Sequence, residues 1–177
     1  MAAKIGILLA NGFDEDELGG MRQMIAEAGL ECEVIAAKKH EVRGWHTGKW
    51  GQPLPVSVAL VDVQAKDYAA LAVPGGVLAA DTLRSDHFAV DLVRGVLGQG
   101  RAVAVLGHAP WLLIEAGVAK GHLLSSAPAI RSDIENAGAR WVDDGIADGP
   151  LISGRHRHDL PFVMGGLLKS VLNQALS

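Results

Sequence analysis

Short runs of aliphatic residues with almost no charge alternate along this chain with longer segments whose apolar residues recur every three or four positions. The run "RAVAVLG" (101–107) shows the first kind: five consecutive apolar residues after an arginine, with no polar residue to face water. A strand in a sheet with one wet face would alternate polar and apolar residues, so a continuous apolar strand is covered on both faces. Strands of that kind, separated by amphipathic helices, predict an α/β fold with a mostly parallel sheet between helical layers. With 177 residues the chain matches one domain with a core of its own.

The predicted elements follow in order. "KIGILLA" (4–10) is a buried first strand, Asn11-Gly12 a turn, and 14–29 a helix whose Leu18, Met21, Ile25 and Ala28 share a face. Its early acidic residues suit the helix dipole. "ECEVIAA" (31–37) is a second strand, with Cys32 and Val34 on its core face. The Gly- and Pro-broken stretch 40–63 is a hairpin or excursion rather than a core helix. "YAALAVPGG" (68–76) is a third core strand ending in a tight Gly-Gly turn. Residues 85–100 form a helix capped at Ser85 or Asp86, with Phe88, Leu92 and Val96 on one side. Residues 101–107 are a fourth strand, and Pro110 opens a helix over 110–118. A helix over 129–139, two strands around a turn within 140–155 and a closing helix over 158–176 complete the chain, with no linker, repeat or low-complexity segment.

Composition narrows the function classes. No apolar run approaches the roughly 20 residues of a membrane span, and a net charge of −4 offers no basic stripe for nucleic acid. The N-terminus lacks a cleavage pattern, so a cytoplasmic protein is expected. A single cysteine, Cys32, forbids an internal disulfide and fits a reducing compartment; on a core strand it reads as a buried structural thiol. His156 and His158 in "GRHRHD" alternate without acidic or cysteine partners at ligand spacing, so no metal and no other cofactor is expected.

The segments "LLANGFDEDEL", "YAALAVPGG" with the later "LR", "AVLGHAPWLLIEAGVAKGHLLSS", "AIRSDIENAGARWVDD" and "ISGRHRHDLP" occur in an order that resembles the ThiJ/PfpI superfamily over nearly the whole chain. The likeness is greatest to its PfpI-type members, described as intracellular peptidases, general stress proteins or protein deglycases. The resemblance implies a flavodoxin-like three-layer sandwich, a homodimer, and a small-molecule pocket at the subunit interface. In that family a strand-turn-helix elbow carries a nucleophilic cysteine in "CHGP". The matching stretch here is Gly107-His108-Ala109-Pro110, so the resemblance puts Gly107 at the cysteine position. By the same matching, Glu17 falls on the carboxyl group that hydrogen-bonds the cysteine, and His108 on the histidine that follows it. Asp81 falls on an acidic residue that reaches the partner subunit's histidine. Gly76, Gly107, Ala109, Trp111 and Arg155 are the expected pocket residues.

An elbow residue with a side chain is strained by about 1–3 kcal/mol, which glycine relieves. Covalent catalysis is lost with the thiol. Backbone N–H groups at the start of the next helix remain to hold an oxygen, and burial of Glu17 would raise its pKa toward neutrality for acid–base work. The expected activity is therefore a thiol-independent lyase, hydratase or isomerase, and the superfamily's isonitrile hydratases are the analogy for carboxyl-assisted hydration. The alternatives are a non-catalytic stress or binding protein, and a cysteine-dependent enzyme whose nucleophile was replaced. Against the last, Ala109 also departs from the family's glycine. Bland roles stay open too: Glu17 as one of four helix-start acids, His108 as a packed histidine, Asp81 as the cap of a turn before Thr82-Leu83-Arg84. Trp45, His46 and Trp50 either wall the pocket or pack an interface.

Overall fold

The computed structural model describes residues 4–176. In chain order its elements are β1 (Lys4–Leu8), β2 (Phe13–Asp14), α1 (Glu15–Glu27), β3 (Glu31–Ala36), β4 (Glu41–His46), β5 (Lys49–Pro55), β6 (Val58–Ala59) and β7 (Ala70–Val73). Then come α2 (Val77–Arg84), α3 (His87–Gly98), β8 (Ala102–Leu106), α4 (Pro110–Glu115), β9 (Leu123–Leu124), α5 (Arg131–Asn136), β10 (Arg140–Trp141), β11 (Ile146–Asp148), β12 (Leu151–Gly154) and α6 (Leu160–Ala175).

The apolar runs form one sheet, in the order β11-β12-β8-β7-β1-β3-β6. Each neighbouring pair is parallel except β11 with β12. Every residue of β7 and β8 is buried, as a sheet covered on both faces requires. α1 packs with α6 on one side, while α2, α3 and α4 pack together on the other. The result is the expected single-domain, flavodoxin-like sandwich.

The chain leaves β1 through α1 toward β3, and leaves β7 through α2 and α3 toward β8, in opposite directions across the sheet. The strand order therefore reverses between β1 and β7, and a crevice opens beyond their carboxyl ends, where such folds bind ligands. The excursion over 40–63 contains the β4–β5 hairpin, which pairs through β4 with the short β2 and so stands beside the start of α1.

The structure corrects several sequence-based expectations. Residues 77–84 form a helix, so Asp81 lies inside α2 rather than capping a turn. Phe88 is exposed; α3 buries Ala89, Val90, Leu92, Val93 and Val96 instead. Cys32, on the second position of β3, is half-buried rather than buried. The helix over 129–139 shrinks to α5 behind a 3₁₀ turn at Pro128–Ile130, and α6 starts at Leu160 behind another at Arg157–Asp159.

Candidate functional site

Asp14 caps α1: its Oδ1 accepts the Glu17 N–H at 2.9 Å, fixing the phase of the first turn. That phase puts Glu17 in line with buried Leu18, Met21 and Ile25, so among four successive acids it is Glu17 that turns inward. It is 4% exposed. Glu17 Oε2 accepts the Gly75 N–H at 2.5 Å, just past the end of β7. Burial, which penalises the charged form, outweighs this hydrogen bond and pushes the carboxyl pKa up from 4.5 to about 7.

The turn that supplies this N–H is held tightly. The Gly75 carbonyl accepts the Asp14 N–H at 2.9 Å. Gly76 has φ +114°, and a Cβ there would fall 2.2 Å from the Gly12 carbonyl oxygen, so only glycine fits. A Cβ on Gly75 would sit 2.8 Å from Glu17 Oε2, which explains a residue without a side chain there.

Gly107 stands between β8 and α4 with φ +61°. Its N–H donates to the Gly154 carbonyl at 3.1 Å, and its carbonyl accepts the Ala127 N–H at 2.7 Å. Gly107 is buried, yet a Cβ would fit: it would meet Gly75 Cα at 3.4 Å and the Arg155 carbonyl oxygen at 3.8 Å, ordinary contacts. Glycine here answers the backbone angle and not a lack of room. Gly75 bonds Glu17 and its Cα faces the side of Gly107 where a Cβ would point, which places the elbow near the buried carboxyl.

His108 is half-buried, and its burial holds the imidazole pKa below the usual value, favouring the neutral ring. It packs edge-on against Trp111, with ring centroids 5.2 Å apart. Trp111 donates from Nε1 to Asp133 at 2.8 Å and carries the Arg84 guanidinium over its face at 4.3 Å. Arg84 in turn pairs with Asp81 at 2.9 Å. Among the described residues, no hydrogen bond or ion pair joins His108 to Glu17 or Asp81. Ala109 is fully buried. Arg155 brings only its carbonyl toward Gly107. Its guanidinium forks onto Asp159 at 2.9 and 3.0 Å and reaches Asp143 at 3.0 Å, so it serves the start of α6 rather than the elbow.

Beside Glu17 opens a cleft of about 330 Å³ lined by Asp14, Asp16, Glu17, Trp45, His46, Thr47, His156 and Arg157. Asp16 Oδ2 bonds both His46 Nδ1 and Arg157 Nη1 at 3.2 Å, tying the hairpin to the segment before α6 across the start of α1. Trp45 and Trp50 meet edge to face at 5.0 Å and are both exposed. Asp16, Thr47 and Arg157 were not singled out by sequence reasoning: their meeting depends on chain segments 141 residues apart. A signal for Glu17 does exist, in the spacing Glu17, Met21, Ile25 along one helical stripe. Among the described residues, no group of three or more His, Cys, Asp or Glu side chains is placed to hold a metal ion, and no helix is long and apolar enough to cross a membrane.

Comparison with known proteins places this architecture. The chain is 38% identical over 158 residues to deglycase TK1284 of Thermococcus kodakarensis, covering 89% of this chain and 92% of that protein. It is 36% identical to deglycase PfpI of Pyrococcus furiosus over the same shares of the two chains. The crystal structure of Schizosaccharomyces pombe DJ-1 superposes with a TM-score of 0.85 over 99% of both chains at 17% identity, a likeness of fold. The sequence pattern of the DJ-1/PfpI family matches residues 3–170, and the chain belongs to that family.

Proposed function

We propose that this protein is a thiol-independent enzyme acting on a small carbonyl-bearing or otherwise electrophilic metabolite, with Glu17 as general acid and base. The observation that carries this reading is the buried Glu17 carboxyl, pushed up to about 7 while lining an open cleft. A carboxyl with that pKa is divided between its acid and base forms at neutral pH, the condition for moving a proton in either direction. Gly107, read as standing where the family's cysteine stands, removes the nucleophile and with it the covalent route. His108, neutral and held by Trp111, orients the substrate. The outcome is a lyase, hydratase or isomerase reaction, in a cytoplasmic homodimer whose second subunit completes the pocket.

The relatives named deglycases favour a second reading, in which the chain acts on the substrates of a deglycase but without a covalent step. A panel of small aldehydes, 2-oxoaldehydes, isonitriles and enones separates the possibilities. Turnover by the unmodified protein, lost in Glu17→Gln with the fold intact, is the expected result. Inertness across the panel, with activity gained only in Gly107→Cys, would mark a disabled relative of cysteine enzymes or a binding protein.

A further inference from the structure

Resting on Glu17 as the acid–base group, the cleft beside it also points to the class of substrate. Each of its carboxyl groups bonds protein donors through one oxygen: Asp14 Oδ1 the Glu17 N–H, Glu17 Oε2 the Gly75 N–H, and Asp16 Oδ2 both His46 and Arg157. Several donors beside them have no protein acceptor among the described residues. Arg157 gives one Nη1 to Asp16, and among the described residues its Nε and Nη2 meet no acceptor. His156 Nδ1 accepts the His158 N–H at 3.3 Å, which leaves Nε2 as the ring's donor, with no acceptor among the described residues. Thr47, at the tip of the hairpin, adds a hydroxyl without a protein partner among the described residues.

What the cleft offers a ligand thus includes a group of donors on Arg157, His156 and Thr47, facing its three acids, with the Trp45 ring as an apolar wall. We propose that the substrate carries a carboxylate beside its reactive carbonyl, as in a 2-oxo acid, with the carboxylate on Arg157 and His156 and the carbonyl toward Glu17. Arg157 suits this role because a guanidinium can hold Asp16 on one edge and a second carboxylate on another. The cleft volume of about 330 Å³ is at the small end for ligand sites, which suits such a compound.

The test is a binding measurement that needs no turnover. Pyruvate and its neutral counterpart pyruvamide are titrated at constant ionic strength into wild type, Arg157→Gln and Glu17→Gln, following the Trp45 indole NMR signal. Pyruvate is expected to bind at least about tenfold more tightly than pyruvamide to wild type and to Glu17→Gln, and Arg157→Gln to erase the preference. Equal affinities in wild type, no binding of either probe, or a preference that survives Arg157→Gln would overturn the inference. Arg157-dependent binding without turnover of the panel compounds or of a set of 2-oxo acids would instead count against Glu17 as catalyst and leave the carboxylate site standing.

Discussion

Glu17 and Gly75, 58 positions apart in sequence, meet at 2.5 Å where the strand order of the sheet reverses. Among the described residues, one backbone N–H is the hydrogen bond this buried carboxyl receives. A carboxylate stabilised by several donors would stay ionised; with one, desolvation prevails and the proton is retained near neutrality.

That balance predicts a pH-dependent stability. A carboxyl whose folded pKa of about 7 exceeds its ordinary 4.5 favours the folded state fully below pH 4.5, and the benefit is lost as pH rises through 7. The shift corresponds to an effect on the order of 3 kcal/mol. Glu17→Gln, which keeps an oxygen for the Gly75 N–H but cannot ionise, should therefore gain stability relative to wild type between pH 5 and pH 8.5. Urea denaturation at the two pH values checks this; a constant difference would show that Glu17 titrates normally.

Two glycines with positive φ should respond differently to alanine. Gly107→Ala meets only ordinary contacts and is expected to cost about 1–2 kcal/mol for the left-handed backbone. Gly76→Ala drives a Cβ to 2.2 Å from the Gly12 oxygen, a backbone atom that cannot swing aside. Its cost is expected at about 3 kcal/mol or more, with loss of the Glu17–Gly75 contact. Denaturation midpoints of the two variants measure the difference.

Gly107→Cys should fold for the same reason; position 107 is buried, so its thiol is labelled only if the elbow admits small molecules, as the proposed function requires. Iodoacetamide should label it rapidly, while Cys32, half-buried on β3, reacts more slowly. Mass spectrometry of the labelled peptides reads both rates, and a protected thiol at 107 would show that the elbow is closed.

At the start of α6, the Arg155 fork holds the mostly buried Asp159 carboxyl below the usual carboxylate range. Its stabilising effect is present above the ordinary pKa and disappears as pH falls through the folded one. Asp159→Asn should thus be destabilised at pH 7 and match wild type in strong acid, as thermal melts across pH would record.

The core strands were legible because parallel strands covered on both faces are written as uninterrupted apolar runs, as in 102–106. α2 was not: it follows Gly76 directly, without a polar N-cap, and its eight residues were too short to show a period. Glu17 and the elbow could be picked out by resemblance, and helix phase explains why Glu17, rather than Glu15 or Asp16, turns inward. The cleft wall could not be read in advance. The hairpin's placement over α1 follows from its pairing with a two-residue strand, and the Asp16–Arg157 contact from the docking of α6 on α1. Arg155 was misplaced because a charged residue near a site motif says nothing of three acids waiting beside it.

Cys32 is the only cysteine in the chain, so Cys32→Ser makes a protein with no thiol at all. The most direct measurement is the pH dependence of turnover in that variant, with and without Glu17→Gln, on the best substrate of the panel. Acid–base catalysis by Glu17 predicts undiminished turnover in Cys32→Ser, with an inflection near pH 7, and a fall of at least about 100-fold when Glu17→Gln is added. Loss of turnover with the thiol, or a rate indifferent to Glu17, would contradict it.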